Sequence, residues 1–212
     1  MSKRQLPEVR IKNAWLLREY ASVHLHELFA KKGDGLADYE ELNEVVDKYK
    51  KAWDPVEQKI LNGMCDITSL EFRQNTLDVF VAPWFYAFSD PMVIGIMMEG
   101  DEFVRNLTHE MIHRILTDNT SLPYDHDYIA AWQKLYGKNH NWNTIVHIPV
   151  HAVHKAIIYD VLKDPSIKEA DYNASLEFGG PEDDYVKSWD YVDKHGYKEI
   201  INKLKTIYEP KK

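Results

Sequence analysis

A single cysteine, Cys65, stands in 212 residues. One thiol cannot form a disulfide within the chain, which excludes a disulfide-stapled scaffold and fits a reducing compartment. Glycine and proline are sparse, at nine each, so neither a collagen-like repeat nor a Pro/Gly-rich linker is present. No uninterrupted apolar run approaches the ~20 residues of a membrane span. The opening MSKRQLPEVRIKNAW carries charge but no apolar core of the signal-peptide kind. Basic charge is short as well: 26 Lys and Arg against 34 Asp and Glu, a net charge of -8. That argues against a basic face for phosphates, and so against nucleic acid as a partner. Together these absences predict a cytoplasmic protein with no membrane and no nucleic-acid partner.

What is present is an ordinary globular composition. Hydrophobic residues make up 44%, with six Trp and thirteen Tyr, enough to expect a packed core and no disorder. Residues 8–31 have helix-like apolar spacing at Ile11, Trp15, Ala21, Leu25 and Leu28. Gly33 and Gly35 break that helix. A second amphipathic helix is predicted over 37–53, and a third begins after Asp54-Pro55 and runs toward Cys65. After Ile67 the character changes. TLDVFVAPWFYAF and PMVIGIMM are rich in β-branched and aromatic residues, with SDP between them as a turn. Short connections predict an antiparallel sheet here. Gly100-Asp101 opens a further helix with Asp101 as its N-cap. DYIAAWQKLYG and WNTIVHIPVHAVHKAIIYDVL are predicted helices, the second capped by Asn143 or Thr144. Two C-terminal helices follow, starting near Pro181 and divided by Gly196, and their charge reads as a solvated helical cap. Helices, a small sheet, then helices make an α+β fold, divided by pattern into an N-terminal helical segment, 1–66, and a region 67–212 that holds the chemistry.

The chemistry lies in LTHEMIHRIL, which contains His109, Glu110 and His113 in the order H-E-x-x-H. On a helix, residues i and i+4 differ by only about 40° in direction. The two imidazoles can therefore grip one Zn²⁺. Glu110 lies on the adjoining face, where its carboxylate can take a proton from an attacking water without binding the metal. Phe103, Val104, Leu107, Met111, Ile112, Ile115 and Leu116 supply a packing face for this helix, leaving Arg105 and Arg114 to solvent.

On HEMIH, and on the strand-rich segment before it, the chain resembles the zincin metallopeptidases over roughly residues 70 to 160. The resemblance implies a small sheet packed on the HExxH helix and an edge strand that holds an extended peptide by backbone hydrogen bonds. It also implies a peptide or protein substrate, zinc as the cofactor, and Glu110 as general base. The metzincin continuation is absent, because Leu116 and Asn119 stand where that branch has glycine and histidine. Gluzincins instead take a third ligand, a glutamate, from a second helix downstream. Here that helix carries His147, His151 and His154. These residues stand at i, i+4 and i+7, within an arc of about 60°. The stripe is expected to face the HExxH helix, with His151 or His147 as third ligand and His154 the weakest candidate.

Two other readings bear on the site. A zincin-like protein with a closed, structural metal site would act through a protein partner instead. Cys65 precedes His109 at a distance that invites comparison with peptide deformylases, whose third ligand is an upstream cysteine. NGMCDITS lacks the lead-in of that family, so Cys65 is expected to be a buried, unreactive thiol. His24 and His26 share no helix face, and His126, His140 and His195 are given no role. Tyr86, Tyr159 and Tyr172 are possible transition-state donors that nothing in the sequence singles out.

Overall fold

The first element corrects the reading of the N-terminus. Glu8–Asn13 forms strand β1, where helical spacing predicts a helix from residue 8. Val9 and Ile11 alternate with Glu8, Arg10 and Lys12, the period of a half-buried strand. A partner distant in sequence, β2 (Thr76–Ala82), pairs with it in parallel from Glu8↔Thr76 to Asn13↔Val81. The structure, a computed structural model, describes residues 4–24, 39–83, 87–96, 98–119, 125–137 and 139–208. The break at Gly33 and Gly35, the residues His26 and Tyr86, and the side chains of His24 and His126 lie outside the described residues.

The sheet is mixed, with strand order β1-β2-β4-β3. Among the described residues β3 (Phe88–Ser89) and β4 (Met92–Gly95) make the one antiparallel pair, and β4 runs parallel to β2. The predicted antiparallel sheet is therefore corrected. The short turn at Asp90-Pro91 reverses the chain into β4, so β4 returns in the direction of β2 and leaves β3 at the edge. The β1–β2 connection is long enough to hold helices and so permits a parallel pair.

The chain forms two compact units from interleaved pieces, Met1–Gln58 with Gln74–Met111, and Lys59–Arg73 with Ile112–Lys212. The first holds the sheet, α1 (Trp15–His24), α2 (Tyr39–Trp53) and the start of α4 (Gly100–Asp118). On α2, Leu42, Val46, Tyr49 and Trp53 recur at helical spacing and are all buried. Tyr49 stacks on Phe103 of α4 at 4.0 Å between ring centroids. Its hydroxyl donates to the Gly95 carbonyl at 2.8 Å and accepts from Met98 N at 3.2 Å. One tyrosine thus ties α2 to the end of β4 and to the start of the HExxH helix.

The second unit is helical. It holds most of α3 (Glu57–Thr68), the end of α4, α5 (Asp125–Tyr136), α6 (Trp142–Ala156), a π-helical turn (Ile157–Leu162), α7 (Ser166–Gly179), α8 (Asp184–His195) and α9 (Tyr197–Tyr208). α7 has no counterpart in the sequence reading: none of its residues is buried, so it carries no apolar stripe to detect. Trp142–Leu162 is long and apolar enough, by length and composition, to cross a membrane, but 72% of that window is buried inside the protein. α6 is the central helix of this unit, and its apolarity matches its burial. α8 packs on it, with Trp189 stacked on His151 and with Val186, Trp189 and Val192 all buried. The predicted solvated cap is thus corrected, because α8 and α9 both contribute to the core, α9 through Ile200, Ile201 and Leu204.

Candidate metal centre

α4 starts at Gly100, two residues earlier than Asp101 as N-cap implies, so Asp101 is not its cap. Asp101 and Glu102 lie in the first turn instead, where acidic groups favour the helix dipole. Phe103, Leu107, Met111, Ile112, Ile115 and Leu116 are all fully buried, and this face sets the rotation of the helix. Arg105 and Arg114 are not left to solvent. They pair with Glu102 and Asp118, and each side chain is only 12% exposed. His109 and Glu110 are buried, and His113 is partly exposed.

α6 begins at Trp142, and its cap is Asn141, not Asn143 or Thr144. The Asn141 side chain accepts from Thr144 N at 2.9 Å. Asp184 of α8 accepts from both the Asn141 amide and the Thr144 hydroxyl. Asn143 acts through its backbone: its carbonyl accepts from His147 Nδ1 at 2.8 Å. A carbonyl oxygen only accepts, so Nδ1 carries the proton and the lone pair of His147 is on Nε2.

One group of three histidines emerges among the described residues. Ligating atoms of His109, His113 and His147 all lie within 4.8 Å of one another. The His113 and His147 rings meet nearly edge to face, with centroids 5.1 Å apart and an interplanar angle of 81°. His151, the other candidate for the third position, is outside this group. It is fully buried, stacked on Trp189 at 4.2 Å, with Nδ1 2.8 Å from the Ser188 hydroxyl. His154 is also buried, its ring 6.1 Å from that of Trp189. Cys65 is buried on α3 and does not belong to the group.

Burial sets the protonation of these groups. It pushes the Glu110 carboxyl up to about 8. It lowers His147 to about 4 against a weaker opposing pull from the Asn143 carbonyl. His113 and His151 are held well below the ordinary histidine range, first by burial and then by the neighbouring His147. Neutral imidazoles are what a metal ion requires, because each ligand must offer a lone pair.

The residues that the sequence reading missed stand on α8. Tyr185 lies on the His147 ring at 4.1 Å, Ser188 meets His151, and Trp189 stacks on it. A signal existed: Val186, Trp189 and Val192 recur at helical spacing inside the charged segment. It marks a buried face opposite the charges. Compared with protein-family models, curated proteins and solved structures, the chain gives no match.

Proposed function

We propose that the protein is a zinc-dependent hydrolase acting on peptide bonds. One observation carries the reading: three imidazoles from two helices converge within 4.8 Å, and Glu110, next to the candidate ligand His109 in sequence, is a buried carboxyl. The donor set suits the ion. Zinc takes three protein ligands in catalytic sites and favours imidazole. The Asn143 carbonyl fixes the tautomer of His147, as such outer partners do for metal-binding histidines. The choice of peptide bonds rests on the resemblance of HEMIH to the zincins.

His109, His113 and His147 would hold the ion, whose Lewis acidity makes water a nucleophile at neutral pH. Glu110 does the proton work. With no cation beside it the buried carboxyl keeps its proton at neutral pH, and a neighbouring positive charge favours the carboxylate. In that form Glu110 accepts a proton from the attacking water and returns it to the departing amine.

Metal analysis of the purified protein is the first test. Wild type should carry about one zinc per chain, and His109→Ala, His113→Ala and His147→Ala should each lose most of it. Zinc at wild-type stoichiometry in all three variants would end the metal reading. Glu110→Gln should keep zinc and lose cleavage of a peptide library read by mass spectrometry. A zinc-loaded wild type that cleaves no peptide would overturn the hydrolase half and leave the metal half standing.

A further inference from the structure

α8 packs its first two turns against the histidine stripe of α6, and each contact falls on a ring that the proposed site uses or adjoins. Tyr185 covers His147, with ring centroids 4.1 Å apart and an interplanar angle of 36°. Ser188 donates its hydroxyl proton to the Tyr185 carbonyl at 2.8 Å. The same oxygen lies 2.8 Å from His151 Nδ1. A hydroxyl has one proton. Both contacts are hydrogen bonds at once only when the hydroxyl donates to Tyr185 and accepts from His151, an arrangement that puts the imidazole proton on Nδ1. Trp189 stacks on the same imidazole at 9°.

His147 is in the same state for a different reason, its Nδ1 donating to the Asn143 carbonyl at 2.8 Å. Two independent acceptors, one on α6 itself and one on α8, thus favour the same tautomer at His147 and His151. Both Nε2 atoms carry lone pairs. The ring of His147 is further confined by Tyr185 on one side and by the edge contact with His113 at 5.1 Å. α8 is anchored where it does this: Asp183 caps it by accepting from Tyr185 N at 2.8 Å, and Asp184 accepts from the Thr144 hydroxyl of α6 at 2.9 Å.

We infer that Tyr185 and Ser188 are positioning residues for the metal centre, which orient the rings of His147 and His151 with Nε2 free of a proton before any ion arrives. The inference rests on the metal reading only for its consequence in affinity. Tyr185 acts through its ring, lying over His147 and limiting its rotation. Ser188 acts through its oxygen, which sets the tautomer of His151, and His151 in turn lies against His147 at 5.6 Å between centroids. Loss of outer partners of this kind lowers metal affinity about 10- to 100-fold.

Long-range ¹H–¹⁵N NMR on the full chain in chelator reads the tautomers directly. Both His147 and His151 should show a protonated Nδ1 and an unprotonated Nε2. A protonated Nε2 on either ring overturns the inference. Ser188→Ala removes the acceptor and should move the His151 proton to Nε2 in a substantial fraction of molecules while leaving His147 unchanged. An unmoved His151 signal would overturn the role of Ser188. Zinc competition with a chromophoric chelator tests Tyr185. Tyr185→Ala should weaken zinc binding at least tenfold, and Tyr185→Phe, which keeps the ring, should stay within about threefold of wild type. Equal affinity in wild type and Tyr185→Ala overturns the role of that ring. If His109→Ala and His113→Ala keep their zinc, the metal reading has failed instead, and the tautomers are still read independently. Dispersed amide spectra of each variant identify those that fold.

Discussion

His147 and Glu110 are both buried, and burial acts on them with opposite sign. A buried imidazole resists taking a proton, and a buried carboxyl resists losing one. In the metal-free protein His147 titrates near 4 when folded and near 6.5 when unfolded. As pH falls through that interval the unfolded chain takes up the proton first, so stability falls with it, by about 1.4 kcal/mol per pH unit for this residue. The loss is complete below 4. His113 and His151, also lowered, add to it in the same direction. Glu110 works at the other end. It titrates near 8 folded against 4.5 unfolded, so the unfolded chain gives up the proton first as pH rises, and stability declines from about 4.5 to 8. Glu110→Gln is neutral in both states and escapes that decline. In chelator, its advantage over wild type should widen between pH 5 and pH 8, by up to about 1.4 kcal/mol per unit, as read from urea denaturation. A gap that does not change with pH would place Glu110 in contact with water.

Among the elements, the π-helical turn after α6 shows how closely the helices of the second unit approach. Gly63 on α3 faces it without a side chain, and a Cβ there would lie 2.7 Å from Val161 Cγ2 and 3.1 Å from Ile157 Cδ1. Gly63→Ala is therefore overpacked, and a cost of about 1–3 kcal/mol is expected in chemical denaturation. Val161→Ala in the same chain should recover part of that loss, because it removes the atom in the way. If Gly63→Ala proves neutral, the approach of α3 to this turn is looser than described. α8 offers a second case. Asp183→Ala removes its N-cap and should cost about 1 kcal/mol. Tyr185 donates its N–H to that cap from two residues on, so zinc affinity should fall in the same variant while Asp193, which pairs with Lys155 and Lys168 far down the helix, is untouched.

For the molecule as a whole, a metal that binds only the folded chain should add to its stability by mass action. Zinc at 100 times its dissociation constant raises unfolding free energy by about 2.7 kcal/mol. The expected result is a zinc-dependent rise in the denaturation midpoint of wild type that is absent in His113→Ala. An equal rise in both would assign the effect to binding elsewhere. This scale also divides what was legible in the sequence from what was not. Helical periodicity is local. It puts Leu42, Val45, Val46 and Tyr49 on one side of α2, all buried but the half-buried Val45, and gives α4 a packing face that is buried except at the half-buried Val104. It fails at Glu8–Asn13, where apolar residues few in number fit two periods and only the pairing with β2 selects one. It fails again at α7, which has no buried side to announce it.

HEMIH and HIPVHAVH by themselves determined that His109 and His113 share one helix face and that His147, His151 and His154 share another, because the turn of an α-helix repeats every 3.6 residues whatever surrounds it. Which histidine of the second stripe meets the first pair was decided by tertiary structure. The three candidates share one stripe of the helix, and spacing along it does not rank them. What separates them lies across from them: His113 beside His147, and Ser188 and Trp189 beside His151. The direction of the sheet has the same origin, since the run of a strand beside its neighbour depends on a partner many residues away. Local spacing places side chains on faces, and packing between distant segments chooses which faces meet.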